Sequence, residues 1–181
     1  MLDFKRDAIR STNDMTEVLD RMARLTSRQS ERMGLHTRRM AREVQRGGDI
    51  ERSHRLVGRA ARDLDEHADD LDKLELRFRT SRESMIANTT AWLQRQPPGP
   101  DLDEYRELLR GLAEVSKESR KNTATYRDSV AQLRRQNVAQ SVNRATDRLA
   151  EVLTRIIEDI EATERFYRAQ GRKPRPRGGG S

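Results

Sequence analysis

His36, His54 and His67 are the only imidazoles in the chain, and cysteine is absent. With the acidic run Asp63, Asp65, Glu66, Asp69, Asp70, Asp72 and Glu75, they are the residue types from which a metal site would be built. Spacing argues against one. Zinc needs its ligands within about 2.1 Å of a single ion. On the paired helices derived below, the three imidazoles stand roughly 9 to 10 Å apart along the axis, at ~1.5 Å per residue. Glu51-Arg52-Ser53-His54 matches the Glu-x-x-His of di-iron bundles once, and such sites need it twice. Met33 and Leu64 occupy the positions where a second copy requires Glu. The acidic run has neither the glycine nor the non-helical loop of a calcium-binding hand. No His-Glu-x-x-His, glycine-rich phosphate loop or serine nucleophile elbow is present. The expectation is a non-enzymatic chain with no metal and no cofactor.

Arginine carries the other chemistry. Of 37 basic residues only five are Lys, leaving 32 Arg. A GC-rich bacterial genome produces that bias, and so does phosphate recognition, which favours the planar guanidinium fork. Arg21, Arg24, Arg28 and Arg32 recur at spacings of three and four, opening a stripe that runs on to Arg46. One reading is a face for an anionic partner such as nucleic acid. The other, and the first expectation, is charge matching with the acidic run on a neighbouring helix. A second basic segment closes the chain: Arg172, Lys173, Arg175 and Arg177 sit in a Pro-interleaved tail with no acid. Such a tail stays extended and suits nucleic acid or an anionic membrane surface.

Two sets of breakers place these residues. Gly47-Gly48-Asp49 is a helix stop followed by a cap. Pro97-Pro98-Gly99-Pro100-Asp101 cannot lie inside a helix, and Asp101 with Glu104 reads as a capping box. The fold class expected is therefore all-α: an elongated antiparallel bundle of three long helices, about 3–46, 50–96 and 102–170, with coiled-coil-like packing. Residues 1–170 form the bundle domain and 171–181 a basic flexible tail. The closing Gly-Gly-Gly-Ser reads as a linker, so the chain is expected to be a domain of a larger bacterial protein.

Each helix carries an apolar seam at spacings of three and four. Met15, Leu19, Met22, Met33, Met40 and Val44 mark the first, Leu64, Leu71, Phe78, Met85 and Trp92 the second, and Leu109, Tyr126, Val130 and Ile156 the third. The short connection at Gly47 makes the first two helices antiparallel, with residue x beside roughly residue 96 − x. Thr26, Gln29, Ser116, Ser119 and Thr123 interrupt the seams. They form either a register-fixing polar layer or a pocket of the kind found in ligand-sensing bundles of membrane-linked signalling proteins.

A 69-residue third helix would outrun its partners from about Asp147 onward, at ~1.5 Å per residue. The overhang would carry Leu149, Val152, Leu153, Ile156, Ile157, Ile160, Phe166 and Tyr167, and a stripe that apolar should not stand in water. Three resolutions are open. It pairs with a protein partner, foremost a second copy in a homo-oligomer. The helix breaks near Gln136-Asn137 and folds back. Or the stripe meets a membrane or a further segment. The seam runs from Tyr126 to Ile160 without Gly or Pro, which favours the first. The function expected is thus a protein–protein interaction or scaffold module that self-associates through 149–167. The alternative is a nucleic-acid-binding module using the Arg21–Arg46 stripe and the tail. With hydrophobic residues at 33% and charged residues at 37%, and without an apolar run of ~20 residues, the chain is expected to be cytoplasmic.

Overall fold

In the computed structural model, which describes residues 3–172, four helices account for almost all of the chain: α1 (Phe4–Gln45), α2 (Ile50–Arg95), α3 (Pro100–Arg135) and α4 (Gln140–Gln170). The all-helical class holds, and so do the bounds of the first two helices to within a residue. The count does not: the expected third helix is two helices. None of the four is long and apolar enough to cross a membrane.

Local chemistry explains each end. Gly47 takes φ +62°, a conformation that costs an L-residue about 1–2 kcal/mol and glycine nothing. Gly48 N–H then donates to Glu43 O at 3.1 Å, and Asp49 accepts from Glu51 N–H at 3.1 Å to cap α2. The second break departs from expectation. α3 starts at Pro100, whose missing N–H is no loss in a first turn, and Gly99 is its N-cap without a side-chain bond. Asp101 does not cap; it pairs with Lys5 Nζ at 2.7 Å.

The third break separates α3 from α4 at residues 136–139. Asn137 sits at φ 50°, where Asn is the residue other than Gly that most readily goes. Its Oδ1 accepts from Asn143 Nδ2 at 2.6 Å. The energy comparison explains why a seam without Gly or Pro nevertheless breaks. One left-handed residue costs about 1–2 kcal/mol, whereas each large apolar side chain removed from water gains roughly 1.5–3 kcal/mol. Folding back buries six such side chains, Leu149, Val152, Leu153, Ile156, Ile160 and Tyr167, all at most 2% exposed.

The helices form a four-cornered bundle. α1 borders α2 and α3, and α4 borders the same two, so α2 and α3 meet across a diagonal. The α1/α2 register is the expected one to within three residues: Glu43 pairs with Arg52, His36 with Asp63, and Gln29 Nε2 reaches His67 O. Most seam residues are buried, among them Met15, Leu19, Met22, Leu71, Phe78, Leu109, Tyr126, Val130 and Leu133. Ile50, the first residue of α2, stays 75% exposed.

Candidate functional site

The polar layer is the first candidate, and its chemistry is turned inward. Thr26 donates to Met22 O at 3.0 Å, Ser116 to Leu112 O at 2.8 Å and Thr123 to Ser119 O at 2.8 Å. These hydroxyls satisfy themselves on their own helices and pack like small apolar groups. His67, regarded from the sequence only as a metal ligand, is instead a core residue at 4% exposed. Its Nδ1 lies 2.9 Å from Tyr126 Oη, while His67 Nε2, Gln29 Oε1 and Ser119 Oγ have no hydrogen-bond partner among the described residues. Burial is the main cause that pushes the imidazole down to about 4, with Arg32 and His36 acting the same way against Asp63 and Asp70. His36 goes elsewhere, its Nε2 2.6 Å from Asp63 Oδ2, and His54 is exposed. Among the described residues no three His, Asp or Glu side chains gather where an ion could sit.

The ion pairs decide which surface remains. Charge matching was expected between the α1 arginines and the acids of α2. Four acids of α2 do find arginines, but on α4. Arg148 bonds Asp69 and lies 3.7 Å from Asp65. Arg155 bonds Asp72 and reaches Glu75 at 3.1 Å. In the reverse direction Arg79 and Arg82 of α2 hold the buried carboxylate of Asp159 at 3.0 and 2.9 Å, and Arg120 of α3 holds Glu164 at 3.0 Å. The fold-back therefore does two things at once. It covers the apolar stripe, and it draws α2's acids toward α4. Asp159 and Glu164 interrupt the α4 seam in sequence, the one signal from which a cationic neighbour was legible.

What is left on the α1 side is a row of arginines that, among the described residues, make no ion pair with another helix. Among the described residues Arg21 and Arg24 form ion pairs only within their own helix, with Glu17 and Asp20. Arg28, Arg32, Arg39, Arg42 and Arg46 are exposed and make no ion pair among the described residues. Eighteen residues are five full turns at 3.6 per turn, so Arg39, Arg42 and Arg46 repeat the angular positions of Arg21, Arg24 and Arg28. The α2 edge of the same face repeats likewise: Arg55 lies five turns before Lys73 and Arg59 five turns before Arg77. A groove of about 450 Å³ confirms that the two ridges meet, with Arg21, Arg24 and Arg28 on one side, Asp70, Lys73 and Arg77 on the other, and Leu25 and Leu74 as its floor. Glu66 and Asp70 interrupt the α2 ridge. Toward the Gly47 turn it is uninterrupted: residues 32–62 contain nine arginines against Glu43, Asp49 and Glu51, and Glu43 is already held by Arg52 at 3.1 Å.

The remaining sequence candidates fare differently. Leu149, Val152, Leu153, Ile156, Ile160 and Tyr167 are core residues of their own chain, and Ile157 and Phe166 are partly buried. The overhang that motivated an interface there is absent, because α4 occupies the fourth corner. Arg172 is exposed just beyond α4, and Lys173, Arg175 and Arg177 lie outside the described residues. Comparison with protein-family models, curated proteins and solved structures found no match to this chain.

Proposed function

We propose that this bundle is a non-enzymatic binding module whose partner is nucleic acid, held along the α1/α2 face from Arg21 to Arg46. One observation carries the reading. α4 pairs with Asp65, Asp69, Asp72 and Glu75 of α2, so among the described residues the α1 arginines make no ion pair with another helix, and Asp70 is the one acid of α2 lining the groove beside Arg21, Arg24 and Arg28. Folding does not need them there. An exposed pair is worth under about 1 kcal/mol, and unmatched like charges in a row cost stability. Guanidinium groups in a linear row fit a linear polyanion, to which each presents a planar pair of donors. An anionic membrane is the weaker fit, because surface attachment needs an apolar face beside the cations. Leu35, 48% exposed, is the one large apolar side chain exposed between Arg32 and Arg39.

Fluorescence anisotropy with labelled mixed-sequence DNA, titrated at 50 to 200 mM salt, tests the proposal. Binding should weaken steeply with salt, by about 10³-fold for six phosphate contacts. Reversing Arg42→Glu with Arg55→Glu should weaken it at least tenfold. The same charge change at Arg127→Glu with Arg135→Glu, on α3, should matter far less. Absence of binding at 50 mM salt, or equal losses in both variants, refutes the face.

A further inference from the structure

Resting on that reading, we infer that the face takes duplex rather than single-stranded nucleic acid, gripping about one helical turn by its phosphates and ignoring its sequence. Three observations lead there. The first concerns aromatic rings. Single-strand binders gain about 1–3 kcal/mol per base by stacking bases on aromatic side chains. All seven aromatic residues of this chain are accounted for elsewhere. Phe78, Tyr105, Tyr126, Tyr167 and Trp92 are buried in the core. Phe4 lies under the Arg95 guanidinium at 4.3 Å, and Phe166 packs beside Tyr167. The arginine face therefore offers charge without an aromatic stacking platform, which leaves an unpaired base only the weaker guanidinium planes.

The second concerns width. Reading base edges requires an element that enters the major groove, which is about 12 Å wide. A single helix is about 10–12 Å across with its side chains. Here α1 and α2 lie side by side and share the groove over Leu25 and Leu74. A two-helix face cannot enter a groove that one helix fills. Its arginines reach the phosphate rims instead, where contacts position the protein without reading sequence.

The third concerns length. The α1 ridge from Arg21 to Arg46 spans about 38 Å at ~1.5 Å per residue, close to the ~34–36 Å of one duplex turn. Rigidity makes the match useful. The ridge is part of a packed bundle and presents its cations at helical intervals, which favours an equally stiff partner over a flexible strand that must be ordered on binding.

The test uses the full chain with a 24-base-pair DNA duplex, its separated strands, a second duplex of unrelated sequence, and duplexes of 6 and 12 base pairs. The duplex should bind at least fivefold tighter than either strand at the same salt. The two 24-mers should agree within twofold. The 12-mer should keep most of the per-site affinity, and the 6-mer should lose at least tenfold. Arg39→Glu with Arg59→Glu should cost the duplex at least tenfold, with circular dichroism unchanged. Single strands that bind as tightly as the duplex overturn this inference while leaving the nucleic-acid reading intact, and so does a sequence preference above tenfold. Vesicles of phosphatidylserine and phosphatidylcholine that bind where no DNA does would overturn both.

Discussion

Replacing Ile156 by Ala separates a folded-back α4 from an overhanging one. Ile156 is 0% exposed in the fourth corner of the bundle. The change removes three carbons, worth about 0.8 kcal/mol each for transfer alone. The cavity left behind adds to this, and such substitutions span about 2–5 kcal/mol. In so tightly packed a position about 3–4 kcal/mol is expected. For a chain of this size each kcal/mol lowers Tm by about 2–4 °C, so Tm should fall by about 6–16 °C. Val115→Ala is the control: Val115 is 52% exposed, and its truncation should stay within about 0.5 kcal/mol. The assay is thermal and urea unfolding of both variants at two protein concentrations tenfold apart. If α4 packs on its own chain, the loss is large and independent of concentration. A loss under about 1 kcal/mol would show that Ile156 does not sit in a core. A Tm that rises with concentration would show that the stripe is buried by a second copy, either as an overhang or by exchange of α4 across the turn at 136–139. Either result refutes the reasoning.

Three further outcomes follow from the same geometry. His67 is neutral in the fold, with its pKa pushed down to about 4 against an unfolded value of ~6.5. The unfolded chain therefore takes up the proton first: stability is full above about pH 6.5 and declines as pH falls toward 4, and urea midpoints should show a loss of about 2 kcal/mol at pH 5 relative to pH 7.5. His67→Gln should flatten that dependence, and a wild-type profile flat between pH 5 and 7.5 would refute it. Asn137→Val forces a β-branched residue to φ 50°, and denaturation should register a loss of about 1–2 kcal/mol, whereas an unchanged midpoint would mean the turn is not left-handed. Asp159→Ala leaves the Arg79 and Arg82 guanidinium groups without the carboxylate they share. A loss of about 1–3 kcal/mol is expected from the charged hydrogen bonds alone, and hydrogen exchange should accelerate along α4 before it does along α1.

Much of this protein is local and therefore legible in order of residues. Gly47-Gly48-Asp49 and the proline cluster end helices because of what their own backbones can do, so α1 and α2 were bounded to within a residue. The period of the seams assigned Met15, Phe78, Leu109 and Tyr126 to the core, and the short Gly47 turn set the α1/α2 register. That register also set His36, His54 and His67 at different levels of the bundle. That His67 closes on Tyr126 needed the diagonal meeting of α2 and α3.

Two outcomes belong to the tertiary structure, and both come from α4. Gln136-Asn137 offers a helix stop that is weak in sequence, since Asn continues a helix nearly as well as it leaves one. The choice is made by six apolar side chains that find a vacant corner of the bundle, a gain several times the cost of one left-handed residue. The same packing settles which opposite charges meet. Sequence register put the acids of α2 level with the arginines of α1, but level is not azimuth. Asp65, Asp69 and Asp72 lie on the flank of α2 that α4 covers, roughly 100° around the helix from Arg55, Arg59 and Arg77 at 3.6 residues per turn. Only the position of the fourth helix shows that Arg148 and Arg155 take those acids, and that the arginines of α1 are left to face the solvent.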